Sequence, residues 1–345
     1  MDRPSTGDGA LSAGGGAPAG PYLVAPEDLS TLLEGEPPFR TDQLRDWLYR
    51  TPVLDASRMS NLPERLRTRL AALYPFDVEV TQPADDGSTV KWLFRAPDGA
   101  SIEAVLMGYP RRTTLCISSQ AGCAMGCTFC ATGQFGFERH LEAGEIVAQV
   151  AYAAAHLRTH GLAVGPSRVT NIVFMGMGEP LANYARVRES MRRMIEVMGI
   201  GARSITVSTV GVVPGMLRLA DEPWQVNLAV SLHAADDDLR SRLVPLNDRY
   251  PLREVIDAAA TYTTRKGRRV SIEWTLIAGT NDSDDQARKL AAIARKLGAH
   301  VNVIALNPTP LTPDRPPDDA HVAHFLSVLG AAGANATLRL SLIHI

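Results

Sequence analysis

Apolar residues recur along this chain with two different periods, and the switch between them divides it. From Pro26 to about Tyr74 they fall three or four apart, Leu44, Trp47 and Leu48 in one segment and Leu62, Leu66, Leu70 and Leu73 in the next, which places each set on one face of a helix. Residues 26–85 are therefore expected to form a small helical domain. Ahead of it, residues 1–25 are expected to be a disordered lead, since the first 20 are mostly Gly, Ala, Ser and Pro with little to bury. Two short alternating runs, Thr89–Ala96 and Ser101–Met107, flank the turn signal Pro97-Asp98-Gly99 and predict a β-hairpin bridging residues 86–108.

Beyond Arg111 short apolar runs alternate with longer amphipathic ones. The runs are Thr113–Ser118, Asn171–Met175, Ile205–Thr209, Val226–Leu232, Val270–Leu276 and Val301–Leu306. Between them lie helical stretches such as Gly144–Leu157, with Ile146, Val150, Ala154 and Leu157 in one stripe, and Asp284–Leu297. Six strand–helix units over residues 109–339 predict a parallel sheet covered by helices, as an open barrel or a doubly wound sheet. No Gly-x-Gly-x-x-Gly follows the first strand, which favours the open barrel.

A length of 345 residues fits two domains, or one large domain with an appendage. With 45% hydrophobic and 21% charged residues the chain is a globular one, not a coiled-coil rod or a low-complexity polymer. The formal net charge of -2 gives no global basic field, so contact with a nucleic acid has to use a local patch; Arg111-Arg112 and Arg265-Lys-Gly-Arg-Arg269 are the densest basic runs of the second half. In the helical part Arg40, Arg45, Arg50, Arg58, Arg65, Arg67 and Arg69 outnumber the acids and make either a basic face or an ordinary solvated one. No apolar run approaches the roughly 18 residues of a membrane span, and no basic start with an apolar stretch marks a secretion signal. The expected address is the cytoplasm, without membrane attachment.

Four cysteines occur, and three lie together as Cys123-x3-Cys127-x2-Cys130 in the loop after the first parallel strand, at the end of the sheet where α/β folds bind ligands. In a reducing compartment such a cluster points to a metal or redox site, not to a disulfide framework. Gly122 and Gly126 let the backbone curl beneath three thiolates, and three ligands leave one iron of a four-iron cluster open. The competing structural assignment is a zinc knot with His140 as fourth ligand; a Cys-x2–4-Cys zinc site usually draws on a second distant pair, and none is present.

The cysteine spacing with Phe129 before the last cysteine resembles the signature of the radical S-adenosylmethionine (SAM) superfamily. Thr114-Leu-Cys-Ile-Ser-Ser-Gln-Ala-Gly-Cys123, Met175-Gly-Met-Gly-Glu-Pro180, Ser208-Thr-Val-Gly-Val-Val-Pro214, Ser231-Leu-His233 and Leu306-Asn-Pro308, in that order, narrow it to the RlmN-like RNA adenine C2-methyltransferases. Pro38-Phe-Arg-x3-Leu44-x2-Trp47-Leu-Tyr49 is similar to that family's N-terminal helical domain, so the likeness runs from about residue 26 to Arg339. It implies a partial (β/α)6 barrel with a helical RNA-binding accessory domain. It implies a [4Fe–4S] cluster on Cys123, Cys127 and Cys130, and SAM held by Gly178, Glu179, Ser208, Ser231, Leu232, His233 and Asn307, with the Glu179 carboxylate receiving the SAM ammonium. Glu103 matches the family's proton acceptor and Cys116 its resolving cysteine; taken alone, one is an edge-strand carboxylate and the other a small buried strand residue.

The implied partners are 23S rRNA, tRNA and an electron donor such as flavodoxin or ferredoxin, for a monomeric enzyme that uses two SAM molecules. C8 methylation of the same rRNA adenine is the neighbouring alternative, and a non-catalytic zinc- or RNA-binding protein the distant one. The family also uses a second cysteine in a Gly-Ala-Cys-Gly-Gln-type segment near the C-terminus, which has no counterpart here. The likeness ends at Arg339, and Leu340-Ser-Leu-Ile-His-Ile345, which coincides with one frame of a sequencing-library adapter, is expected not to be native.

Overall fold

The computed structural model describes residues 20–309 and 311–339. The expected lead falls mostly on residues 1–19 and the expected non-native tail on residues 340–345, all outside the described residues. The lead does not extend to residue 25. Pro21–Leu23 forms a helical turn in which Tyr22 is wholly buried, its hydroxyl donating to the carbonyl of Leu48 at 2.8 Å. One aromatic ring in a Gly- and Ala-rich stretch is a weak burial signal, which is why composition hid this anchor.

The strands, in chain order, are β1 (Asp77–Pro83), β2 (Thr89–Arg95), β3 (Ser101–Tyr109), β4 (Arg112–Cys116), β5 (Gln120–Gly122), β6 (Phe137–His140), β7 (Asn171–Phe174), β8 (Ile205–Thr209), β9 (Asn227–Ser231), β10 (Ser271–Leu276), β11 (His300–Ala305) and β12 (Asn335–Arg339). All but the β5–β6 ribbon belong to one ten-stranded sheet of order β1-β2-β3-β4-β7-β8-β9-β10-β11-β12. From β4 onward neighbours run parallel, and β1–β4 pair antiparallel. The six expected strands are β4 and β7–β11. They form a partial barrel: side chains from β2, β3, β4 and β7 through β12 line one cavity, so the sheet curls around it.

Two strands depart from expectation. β12 extends the parallel set past the sixth strand, and β1 starts inside the stretch expected to be helical and pairs with β2. Every residue of β1 is exposed, and an edge strand without a buried face shows no alternation to read. The hairpin β2–β3 also pairs with β4, so the segment expected to bridge two domains is continuous with the barrel sheet.

The helical part consists of Phe39–Arg45 running on through Asp46–Arg50, and Glu64–Arg69. Its arginines are engaged locally: Arg45 with Asp42, Arg50 with Asp46, Arg65 with Glu36, while Arg40, Arg67 and Arg69 donate to the carbonyls of Asn61, Ser57 and Leu32. This half is clamped to the sheet by aromatic rings, Tyr22 stacked on Tyr74 at 5.4 Å and Phe76 against Phe94 of β2 at 4.2 Å. Helix Ala143–Thr159 backs the hairpin, with Tyr152 edge-on to Trp92 at 5.3 Å.

Candidate active site

Local anchors fix the cysteine loop before any ligand enters. Just past β4 the Ser118 amide donates to Oε1 of the buried Gln149 at 2.9 Å, and Gln149 Nε2 donates to the Ser118 carbonyl at 3.0 Å, so one helical side chain satisfies both backbone groups where the strand ends. The Ser118 hydroxyl donates to the Glu103 carbonyl at 2.6 Å and accepts from the Met177 amide at 2.9 Å, tying β3, β4 and the loop after β7 together. The chain then doubles back as β5–β6, where Gly122 (φ +70°) lies so close to Gly136 that a Cβ would sit 2.1 Å from its carbonyl oxygen. The Cys123 amide donates to that same oxygen at 2.7 Å.

Cys127 is buried, and Cys123 and Cys130 are half-buried. Burial pushes the Cys123 thiol up to about 11 and Cys127 further still; the neighbouring thiols and the charge of Glu179 add to this, and Arg240 opposes it at Cys127. Three mutually repelling, desolvated thiols suit a cationic group that replaces their protons. Among the described residues no group of three His, Cys, Asp or Glu side chains stands preassembled around a metal ion's position. A four-iron cluster makes a different demand, one thiolate on each of three irons. His140, the fourth ligand of a zinc knot, lies on β6 with Nδ1 at 3.0 Å from Gln120 Nε2.

The remaining expected residues stand at the C-terminal strand ends. Gly178 has φ +96°, and a Cβ there would meet the Gln120 side chain at 2.5 Å. Glu179 is buried, with Oε1 accepting from the Leu181 amide at 3.0 Å and Oε2 from the Val210 amide at 2.9 Å, so its carboxylate stitches the loop after β7 to the end of β8. Burial pushes its carboxyl up to about 7 against the pull of these donors. The hydroxyls of Ser208 and Ser231, on adjacent strands, are 3.3 Å apart. His233 takes a left-handed φ of 61° and its Nδ1 accepts from the Thr275 amide at 3.0 Å, which leaves the ring proton on Nε2. Burial pushes it down to about 3, and Phe129 of the cysteine loop packs edge-on against it at 4.6 Å. Leu232 is buried beside it.

A cavity of about 730 Å³ is lined by Cys130, Phe129 and Asn307 together with Glu103, Cys116 and Lys91; Cys123, Cys127, Gly178, Glu179, Ser208, Ser231, Leu232 and His233 are not among its lining residues. Burial and the Glu103 charge push the Cys116 thiol up to about 12. Of the basic runs only Arg112 and Arg269 line the cavity; Arg265 pairs with Asp221, Lys266 donates to the Glu222 carbonyl and Arg268 donates to Asn227.

Sequence reasoning missed Lys91, ion-paired with Glu103, and Arg240. The latter is fully buried and donates to the carbonyls of Leu232 (3.2 Å) and Val210 and to Asn247 Oδ1 (2.8 Å), locking the ends of β8 and β9 behind Cys127. An arginine within Asp237–Leu243, one of four charged residues in seven, reads as a surface residue. No spacing would have distinguished it.

Comparison with known proteins agrees with this geometry. The radical SAM superfamily model matches residues 117–291, and the model of the ribosomal RNA large subunit methyltransferase N-terminal domain matches residues 29–74. The probable dual-specificity RNA methyltransferase RlmN of Chloroflexus aurantiacus is 48% identical over 325 residues, covering 90% of this chain and 86% of the relative. That of Streptomyces griseus is 47% identical over 315 residues, covering 88% and 85%. The crystal structure of a radical SAM methyltransferase from Sphaerobacter thermophilus superposes with a TM-score of 0.88 at 48% identity, covering 94% of this chain and 96% of that one. The chain therefore belongs to the RlmN family of radical SAM RNA methyltransferases, enzymes that work with a [4Fe–4S] cluster and SAM.

Proposed function

We propose that this enzyme methylates C2 of an adenine in the peptidyl-transferase region of 23S rRNA, and C2 of the adenine 3′ to the anticodon in some tRNAs, using two SAM molecules. The observation that carries this reading is the placement of Glu103 and Cys116 on one wall of the cavity that also receives Cys130, which puts an acid–base group and a thiol within the space where the cluster loop opens. Bound SAM and cluster supply the radical chemistry that a non-nucleophilic aromatic carbon requires.

The chain's own residues do the rest. Cys123, Cys127 and Cys130 hold the cluster. Gly178, Glu179, Ser208, Ser231, Leu232, His233 and Asn307 surround SAM; two lone pairs of Glu179 are already committed to amides, and the rest of its acceptor capacity receives the SAM ammonium. Glu103 takes up the proton released at the target carbon. Cys116, kept protonated at neutral pH by burial, takes the place of the family's resolving cysteine, whose attack would form a disulfide with the methyl-carrying cysteine that has no counterpart among these 345 residues. Arg112 and Arg269 on the cavity lining offer phosphate contacts. Among the described residues no helix is long and apolar enough to cross a membrane, and work on RNA places the enzyme in the cytoplasm, with a flavodoxin or ferredoxin as electron source.

The test is product mapping. Expressed from its whole gene in a host lacking the modification, the enzyme is expected to yield 2-methyladenosine in 23S rRNA by nuclease digestion and mass spectrometry. An 8-methyl product would reassign the regiochemistry, and colourless protein after anaerobic purification would remove the cluster and the reading with it. Glu103→Gln should abolish the product while leaving SAM cleavage intact.

A further inference from the structure

The β2–β3 side of the cavity carries a charge pair of which the functional reading uses only Glu103. Side chains of β2 and β3 alternate between two faces: Val90, Trp92, Phe94, Ile102, Ala104 and Leu106 are buried on one, and Lys91, Glu103 and the likewise buried Val105 belong to the cavity face. The register sets Lys91 opposite Val105 on one side and Cys116 opposite Val105 on the other. Lys91 and Cys116 thus flank the strand that carries Glu103, with Glu103 two residues along the same face. Lys91 Nζ lies 2.9 Å from Glu103 Oε1, and the lysine side chain is only 18% exposed against 37% for the glutamate. A lysine drawn into a cavity wall to meet one carboxylate loses both hydration and rotamer freedom, a cost that a surface pair has no reason to bear.

We propose that Lys91 is a positioning residue for Glu103. Its ammonium holds the carboxylate against the Cys116 wall and balances its charge there, so that the thiol faces a compensated pair and not a bare anion. The inference rests on the reading of Glu103 as proton acceptor, yet it concerns an electrostatic arrangement that exists without SAM, cluster or RNA. The Glu103 charge already pushes the Cys116 thiol upward, with burial as the larger cause. The other charged or titratable groups lining the cavity are Tyr109 on β3, Arg112 on β4, Cys130 in the loop, Glu273 on β10, Arg269 before it, His300 on β11 and Arg339 on β12. Of these, Glu273 is engaged by Ser271 and Asn302, and Arg339 by Asn302. Among the described residues Lys91 is the cation in ion-pair contact with Glu103.

The test reads thiol chemistry and needs no turnover. The rate at which iodoacetamide alkylates Cys116 is followed by mass spectrometry of its peptide in the intact chain from pH 7 to 10. Lys91→Met should slow it on the order of tenfold at a given pH, since an uncompensated carboxylate raises the thiol pKa by about one unit at a few ångströms. Glu103→Gln should speed it, Lys91→Arg should restore the wild-type profile, and adding Lys91→Met to Glu103→Gln should change nothing more. The arginine variant and the double variant keep the result readable if Lys91→Met folds poorly. An unchanged profile in a folded Lys91→Met would overturn the proposal, as would the same slowing in the Glu103→Gln background, which would put Lys91 on the thiol directly. Failure of Glu103→Gln to alter the RNA product is a separate result: it would remove the proton acceptor and leave the charge balance standing.

Discussion

The strand ends that carry Glu179, His233 and Arg240, here the rim, and the antiparallel wall of the cavity are built in opposite ways. On the rim the polar groups are already satisfied by the backbone: Glu179 by the amides of Leu181 and Val210, His233 by that of Thr275, Arg240 by two carbonyls and Asn247. On the wall Lys91 and Glu103 pair with one another and stand partly open, and Cys116 lies beside them. A rim fixed before binding suits a cofactor that must sit in one pose, because ordering costs nothing further when it arrives. Side chains held mainly by each other suit groups that change protonation or bonding partner during a reaction. The rim therefore carries stability and cofactor binding, and the wall the groups that exchange protons or bonds.

The largest expected effect is on the rim. Cys127 is the buried member of the trio and the one beside Arg240, so Cys127→Ala should abolish iron–sulfur absorbance and SAM cleavage together after anaerobic reconstitution, while Cys116→Ser on the wall keeps both. Full iron content in Cys127→Ala would end the assignment of the loop.

Arg240 comes next. Arg240→Met fills similar volume yet leaves the buried Leu232 carbonyl and Asn247 Oδ1, and the part-buried Val210 carbonyl, without their donor. A loss of about 2–4 kcal/mol in urea unfolding is expected from stranded buried acceptors. Lys91→Met should cost well under 1 kcal/mol in the same assay, as part-exposed ion pairs do. Equal losses would erase the distinction between rim and wall.

The contrast also marks how far the sequence could be read. The strands that run through the barrel were visible because parallel strands are buried on both faces and read as apolar runs; Ile205–Thr209 and helix Asp284–Leu297 fall where the pattern put them. The cysteine loop was visible because its chemistry is local, three ligands within eight positions. The wall was visible as a hairpin, and only the family resemblance, not the residues' own pattern, marked Glu103 and Cys116 on it as site residues. Alternation tells which residues share a face but not which face meets a cavity, and the pairing of β3 with β4 that brings Glu103 toward Cys116 is tertiary. β1 and β12 escaped for the opposite reason, being too exposed to leave a pattern. Gly20 and Tyr22 escaped because their partners, the Ala72–Tyr74 turn and Leu48, lie some distance along the chain.

Glu179 should make stability depend on pH in a direction unusual for a carboxylate. The folded chain keeps its proton up to about pH 7, whereas the unfolded chain loses it near 4.5, so the folded state binds more protons in that window and stability falls as pH rises across it. In the chain without cluster or SAM, Glu179→Gln should flatten this slope, a change on the order of 1–3 kcal/mol between the two ends. Urea midpoints at half-unit steps would show it. A wild-type slope retained in the variant would mean that the carboxyl is better hydrated than its burial indicates.

The smallest effect belongs to the back of the wall. His156, on helix Ala143–Thr159, packs edge-on to Trp92 at 5.0 Å, and burial together with the neighbouring His160 pushes it down to about 4. Above pH 6.5 it is neutral in both states and contributes no slope. Below that the unfolded chain takes up a proton that the folded chain refuses until about pH 4, so stability is lost as pH falls between the two. Because the imidazole is only half-buried, water screens much of this, and His156→Gln should reduce the acid-induced drop in unfolding temperature by about 1–2 °C. The same helix carries Gln149, whose amide holds the strand end before the cysteine loop, so the wall's backing and the rim's anchor share one element. Acid that loosens His156 from Trp92 should therefore slow cluster loading before it unfolds the chain, and His156→Gln should load at pH 5.5 as it does at pH 7.5. If wild type and variant load alike at both values, the two regions are mechanically independent despite the helix they share.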